Sequence, residues 1–339
     1  MKLATPRWWY VRYDRQREGG MPVIRALLTP VSWIWAAVTA RRIARTTPFD
    51  PGVPVICVGN LTVGGAGKTP VVRALAERLA AQGKAVHLLS RGYGGSLEGP
   101  VRVDPERHTS AEVGDEPLML ARHATVWVAR DRAAGAKAAA AAGAQVIVMD
   151  DGHQNPSVKK ALSLVVVDGE TRGNEWPFGD GRVFPAGPMR EPLAVGLARA
   201  SATLVLLPAD LAEAEQDLLD LLKGPPILTA HLTAAEAPPA GPQVGFAGIA
   251  KPWKVERALK AAGCEVADFA DFPDHAAYDE ATLRRLADRA TVFDAGLVTT
   301  EKDWVRLPPA WRGRVTAWPV KATFDDPAAI DALLAKAGL

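Results

Sequence analysis

The chain has 339 residues, 48% hydrophobic and 23% charged, with 30 glycines and 27 prolines. That is ordinary globular composition, which excludes disordered, collagen-like and coiled-coil architectures, and the length suits about two domains. Two cysteines, Cys57 and Cys264, exclude a disulfide framework, a Cys₄ metal cage and a CxxC redox pair; both sit beside apolar runs, as buried thiols in a reducing compartment do.

The net charge of +2 is unevenly spread. Residues 1–45 hold nine bases (Lys2, Arg7, Arg12, Arg15, Arg17, Arg25, Arg41, Arg42, Arg45) against two acids (Asp14, Glu18), a local charge of +7 that leaves −5 for the rest. Trp8, Trp9, Trp33 and Trp35 lie in the same segment. The apolar stretch starts late and no small-residue cleavage site follows it, so it does not read as a cleavable leader. Only 15 residues separate Arg25 from Arg41, with Pro30 among them, whereas a bilayer span takes about 20. Leu27, Val31, Ile34, Trp35 and Val38 recur at helical spacing between the arginines. An amphipathic helix is predicted. Two placements fit it: in a membrane interface, where indoles and arginines favour the headgroup level, or packed on the core with a basic collar.

From residue 54 strands and helices alternate. Pro54–Asn60 reads as a strand, followed by a glycine loop and a helix over Thr69–Ala81. Further strands are predicted over Ala85–Ser90, Thr125–Ala129, Gln145–Met149, Leu162–Val167 and Ala202–Leu207, with an alanine-rich helix from Asp131 to Ala142. Continuous apolar strands between helices indicate a parallel sheet covered on both faces. Five prolines, Pro225, Pro226, Pro238, Pro239 and Pro242, mark a connector from Gly224 to Pro242. Beyond it the pattern restarts with strands at Val244–Gly248, Glu265–Ala270 and Gly296–Thr300 and helices at Trp253–Ala262 and Asp279–Arg289. The expected organisation is a basic N-terminal segment (1–45), an α/β nucleotide-binding domain (46–223) and a second, smaller α/β domain (224–339).

The loop after the first strand carries the strongest chemical signal. Thr62-Val63-Gly64-Gly65-Ala66-Gly67-Lys68-Thr69 matches G-x-x-x-x-G-K-[ST] except that Thr62 replaces the first glycine. Glycines let successive backbone N–H groups face a polyphosphate, and the following helix adds the positive end of its dipole. In this pattern Lys68 reaches the β- and γ-phosphates and the Thr69 hydroxyl ligates Mg²⁺. Asp150 ends a neighbouring apolar strand, where a Walker-B carboxylate holds the same metal. The guanine-reading NKxD motif has no good match, and Val63 stands where ParA-like proteins carry a second lysine. An ATP-using transferase is favoured over a GTP switch.

Several blocks carry a family resemblance. Val58-Gly59-Asn60-Leu61-Thr62 through Pro70, Ser90-Arg91-Gly92-Tyr93-Gly94, Gly114-Asp115-Glu116-Pro117 and Asp150-Asp151-Gly152 occur in order. Pro185–Pro192, Phe246-Ala247-Gly248-Ile249, Phe272-Pro273-Asp274-His275 and Thr300-Glu301-Lys302-Asp303 follow. Together they resemble the tetraacyldisaccharide 4′-kinase (lipid A 4′-kinase) family over roughly residues 20–305, a family in which Thr62 is normal.

The resemblance implies a P-loop kinase with two α/β/α domains, the active site in the cleft between them. Such an enzyme uses MgATP to phosphorylate the 4′-hydroxyl of an acylated glucosamine disaccharide 1-phosphate. It works as a peripheral or monotopic protein on the cytoplasmic face of the bacterial inner membrane, and no nucleic acid partner enters. Asp115 is then the general base and His275 its partner, Glu191 helps hold Mg²⁺, and Arg190 neutralises phosphate. Arg91 and Tyr93 follow the second strand, where open parallel sheets place ligands. On their own, Asp115 reads as a helix N-cap and His275 as a loop histidine, and the Arg190–Glu191 and Arg91–Tyr93 pairs as ion pairs or turns.

Two positions depart from the family pattern: His153 and Asn155 stand where Phe and His are usual, and Ala276 replaces the second histidine of Asp-His-His. The competing functional readings are a nucleotide-hydrolysing switch or metallochaperone, and a membrane-tethered module with an inactive nucleotide site; intact Lys68, Thr69 and Asp150 speak against the latter.

Overall fold

A computed structural model describes residues 6–12, 21–172 and 175–339. Lys2, Arg15 and Arg17 of the basic segment, with Asp14 and Glu18, lie outside them. The strands are β1 (Val55–Gly59), β2 (Val86–Ser90), β3 (Val101–Arg102), β4 (Thr125–Val128), β5 (Val146–Asp150), β6 (Leu162–Asp168) and β7 (Ala202–Pro208). After them come β8 (Ile227–Ala234), β9 (Pro242–Ala247), β10 (Glu265–Asp271), β11 (Gly296–Thr300), β12 (Val315–Trp318) and β13 (Val320–Phe324).

One sheet has nine strands in the order β13-β8-β7-β6-β1-β5-β2-β4-β3. It is parallel from β8 to β4, with antiparallel β13 and β3 at its edges. β1 is buried along its whole length because alternate residues face opposite layers. Ile56 and Val58 pack with Val71, Val72, Leu75 and Leu79 of helix Lys68–Ala81. Val55 and Cys57 face the other way, toward Ala136 and Ala139 of helix Arg132–Ala141. The alanines of that helix let it lie close to the sheet, and Asp131 caps it by accepting from the amides of Ala133 and Ala134. A second, all-parallel sheet has the order β10-β9-β11-β12.

Sheet membership does not follow the boundary expected at residue 224. β8 lies inside the proline-rich connector yet pairs with β7, and β13 returns from the C-terminal region to pair with β8. Helix Pro327–Lys336 then places Ile330 and Leu334 in the first sheet's core. Prolines at 225 and 226 precede β8 instead of replacing it, as the start of a strand permits. Residues 242–318 thus form the second sheet's unit, and the chain crosses back before it ends.

The N-terminal helix also departs from expectation. It runs unbroken for 24 residues, Pro22–Arg45, straight through Pro30. Around the proline, the Thr29 and Ser32 hydroxyls donate to the carbonyls of Arg25 and Leu28, at 2.8 and 3.2 Å. By length and composition the helix is long enough and apolar enough to cross a membrane. Its polarity is inverted: Arg25, Ser32 and Thr39, seven residues apart, are buried against the protein, whereas Leu27 is 73% and Trp33 70% exposed. Val31, Ile34, Trp35 and Val38 are exposed as well, which removes the core-packing placement. The polar stripe is anchored specifically, with Arg25 paired to Asp180 at 2.5 Å and Ser32 Oγ accepting from the Ala186 amide at 3.1 Å.

Candidate active site

The loop leaving β1 leads into helix Lys68–Ala81. Gly64 and Gly67 adopt left-handed φ values of 99° and 74°, and a Cβ on Gly67 would lie 2.4 Å from Leu206 Cδ2. Only glycine suits such a bend at low cost. The carbonyls on the outer side are satisfied: Arg190 Nε and Asn60 Nδ2 donate to Thr62 O at 2.8 and 2.9 Å. The Val63 amide donates to Pro188 O at 2.7 Å. Among the described residues, the amides of Gly64, Gly65, Ala66 and Gly67 meet no protein acceptor, which fits a cradle for anionic oxygens.

Two carboxylates stand beside this cradle at the end of β5. Asp150 is buried, its Oδ1 has no hydrogen-bond partner, and burial pushes its carboxyl up to about 7. A buried, partnerless carboxylate oxygen next to a phosphate loop fits a divalent cation. Arg132 donates to the Asp150 carbonyl at 2.9 Å, and its own burial lowers its guanidinium to about 10. Asp151 has a left-handed φ of 51° that turns its side chain toward the loop. Burial alone would raise its carboxyl, but Lys68 at 3.5 Å and Arg190 at 2.7 Å outweigh it and hold it well below the usual range. Lys68, Asp151 and Arg190 thus form one charged group on the cradle's rim.

Glu191 meets two side-chain partners beside the loop. Both its carboxylate oxygens accept from Arg199, at 2.6 and 2.7 Å, and Gln154 donates to it at 2.9 Å while also donating to Asn60 O. Glu191 therefore joins the loop through Gln154. Among the described residues no cluster of three acids, histidines or cysteines is set to hold a metal ion. Arg91 is exposed just beyond β2. His153 is buried between Ser163 Oγ and Gly196 O, at 2.8 and 2.9 Å; burial lowers its imidazole to about 4, so it is a neutral packing residue at neutral pH. Asn155 closes a turn by accepting from Ser157.

The second group of reactive side chains spans the two sheets' units. Asp115 opens the short helix Asp115–Leu120, and its carboxylate does not cap that helix. Its Oδ2 lies 2.7 Å from His275 Nδ1 and 3.4 Å from Arg306 Nε. Burial pushes the Asp115 carboxyl up, but His275, Arg306 and Lys302 together bring it below its ordinary value. Gly114 makes the approach possible, because at its φ of 91° a Cβ would meet Tyr93 O at 2.7 Å. His275 itself holds a left-handed φ of 58°, a costly geometry for a side-chain-bearing residue. Its amide donates to Gly248 O at 3.1 Å.

Sequence reasoning missed what keeps His275 there. Asp303 is wholly buried and accepts from the Gly248 amide (2.9 Å), the Tyr278 hydroxyl (2.6 Å), Thr300 Oγ1 (2.6 Å) and Arg306 (2.5 Å). Arg306 also donates to Gly248 O and Ala276 O, both at 2.9 Å. Lys302 reaches back across the cleft to Glu116 at 3.3 Å. The Thr300-Glu301-Lys302-Asp303 block was the available signal, yet Arg306 and Tyr278 carry none in sequence. Arg132 and Gln154 likewise meet the site only through folding.

A phosphate-binding loop on a parallel sheet, with a carboxylate–imidazole pair delivered across a cleft, defines a P-loop phosphotransferase. Residues 24–338 match the family model described as Tetraacyldisaccharide-1-P 4′-kinase. Tetraacyldisaccharide 4′-kinase of Caulobacter vibrioides is 69% identical over 339 residues, with 100% of each chain covered. The enzyme of the same name from Phenylobacterium zucineum is 71% identical over 334 residues, covering 98% of this chain and 99% of that one. A crystal structure of LpxK from Aquifex aeolicus in complex with ATP is 25% identical with a TM-score of 0.72, covering 93% of this chain and 99% of that one. The chain belongs to the tetraacyldisaccharide 4′-kinase family and is a kinase acting on an alcohol acceptor.

Proposed function

We propose that the chain transfers the γ-phosphate of ATP to the 4′-hydroxyl of a tetraacylated glucosamine disaccharide 1-phosphate, giving lipid IVA, at the cleft between its two sheets. The observation that carries this reading is the 2.7 Å contact between Asp115 and His275, two residues 160 positions apart, assembled beside a phosphate loop. The Gly64–Gly67 amides receive the phosphates, while Lys68 and Arg190 offset their charge. Thr69 and Asp150 hold Mg²⁺, with Glu191 and Gln154 supporting from behind. When bound, the metal screens the charge of the phosphate oxygens.

Asp115 takes the acceptor's proton. Oδ2 is engaged by His275 and Arg306, which leaves Oδ1 for the 4′-hydroxyl. A carboxylate held below its ordinary pKa is ionised at neutral pH, and the imidazole orients it and shares the incoming proton. Arg91 and Tyr93 border the acceptor side, Tyr93 with its ring 5.6 Å from that of His275. Incubation with γ-labelled ATP, Mg²⁺ and the disaccharide 1-phosphate is expected to place label in the lipid fraction. Release of inorganic phosphate with unlabelled lipid would instead support the switch reading.

The outward apolar face of helix Pro22–Arg45 serves, in the same reading, as a monotopic anchor on the cytoplasmic face of the inner membrane. Trp33 lies within it, and Arg41, Arg42 and Arg45 border its C-terminal end as interfacial side chains do. Trp35 Nε1 donates to Arg190 O at 3.2 Å, so the anchor touches the catalytic loop directly. The full chain is expected to float with anionic liposomes while a chain starting at Thr46 stays at the bottom of the gradient. Equal flotation would move the membrane contact elsewhere.

A further inference from the structure

A loop that turns successive amides toward a polyphosphate must turn carbonyls outward, and those oxygens need donors if they are not to be left unsatisfied. Asn60 and Arg190 supply donors to Thr62 O from within the catalytic elements. The donor to Val63 O comes from elsewhere: it is the hydroxyl of Tyr10. Tyr10 lies upstream of residue 24, where the family match begins.

We propose that Tyr10 is a positioning residue for the phosphate loop, held there by an N-terminal strap, residues 6–12, that links the membrane helix to the nucleotide site. This rests on the reading of residues 62–69 as the ATP cradle. Four observations support it. A Cβ on Gly64 would lie 3.0 Å from the Tyr10 hydroxyl, so the tyrosine closes against a loop position that has no side chain to exclude it. Tyr10 O accepts from the Trp176 amide at 2.7 Å, and Val11 forms an antiparallel bridge with Glu175, which fixes the strap's backbone. The Lys251 ammonium sits 5.6 Å from the Tyr10 ring centroid, and Ala250 beside it is 3.6 Å from where a Cβ on Gly65 would be. At the strap's other end Trp9 is buried edge-on to Phe184, and Arg25 of the membrane helix donates to Trp8 O. The strap thus bridges the helix, the loop and the second unit.

Removing the hydroxyl alone costs the loop one hydrogen bond without creating a cavity. Tyr10→Phe in the full-length chain is expected to weaken binding of Mg-AMPPNP about three- to tenfold, as measured by calorimetry. The KM for ATP should rise in step, while the KM for the lipid acceptor and the melting temperature stay at wild-type values. Tyr10→Ala, which also removes the ring from Lys251, should weaken nucleotide binding at least as much. Wild-type nucleotide affinity in Tyr10→Phe overturns the proposal, as does an equal loss of nucleotide and acceptor affinity with a lower melting temperature, which would mark a general structural role. If the wild-type chain binds Mg-AMPPNP but phosphorylates no lipid, the acceptor reading fails while the Tyr10 comparison still decides this one. If the wild-type chain does not bind Mg-AMPPNP, the cradle reading and the strap fall together.

Discussion

Lys68→Met is expected to lower kcat about 10²–10³-fold, the usual effect of deleting one preorganised donor to a group whose charge changes in the transition state. The side chains are close in length, so packing at the start of helix Lys68–Ala81 is retained and the loss is electrostatic. Asp151 keeps Arg190 at 2.7 Å, so the rim does not acquire an unpaired buried acid and the melting temperature should change little. The readout is initial rate of label transfer to lipid at saturating ATP. Wild-type speed in this variant would remove residues 62–69 from the reaction, whatever their shape.

Asp115→Asn should reduce kcat about 10²–10⁴-fold, the range for loss of a general base, with the KM for ATP nearly unchanged. The amide is isosteric and still meets His275 and Arg306, so the cleft stays assembled. His275→Ala is expected to fall in the lower part of that range, because it removes the group that orients the base rather than the base itself. The double variant should be little worse than Asp115→Asn alone, since residues acting as one unit are strongly non-additive. A multiplicative loss would mean that the two act in separate steps. Near-normal turnover in His275→Ala would show that Ala276, which stands where a second histidine is usual, marks a real change of mechanism in this chain.

Much of the site was legible because it is local. The phosphate loop needs only a strand end, two left-handed glycines and a helix start, all within about a dozen residues, and each has its own sequence signal. Asp150 was visible for a similar reason, since an apolar run ending in acids delivers them to the carboxyl edge of a parallel sheet. The surroundings of Glu191 were not legible, because its residue type says nothing of its neighbour: Arg199, eight residues on, donates to both its oxygens. The N-terminal helix shows the same limit. Its apolar spacing was read correctly, yet which side faces the protein depends on Asp180 and Ala186 meeting Arg25 and Ser32 from more than 150 residues away.

The alternation of strands and helices and the glycine loop with its following lysine and threonine were legible in sequence alone, whereas β3, β8, β12 and β13 were not, because chain stiffness, periodicity and glycine geometry act between near neighbours. Tertiary structure alone decided that β8 and β13 belong to the first sheet, that Asp303 and Arg306 hold His275 against Asp115, and that Tyr10 reaches Val63. These are pairings between groups that carry no mutual signal in the chain. They depend on which surfaces remain to be buried and which polar atoms remain to be satisfied once the rest has folded.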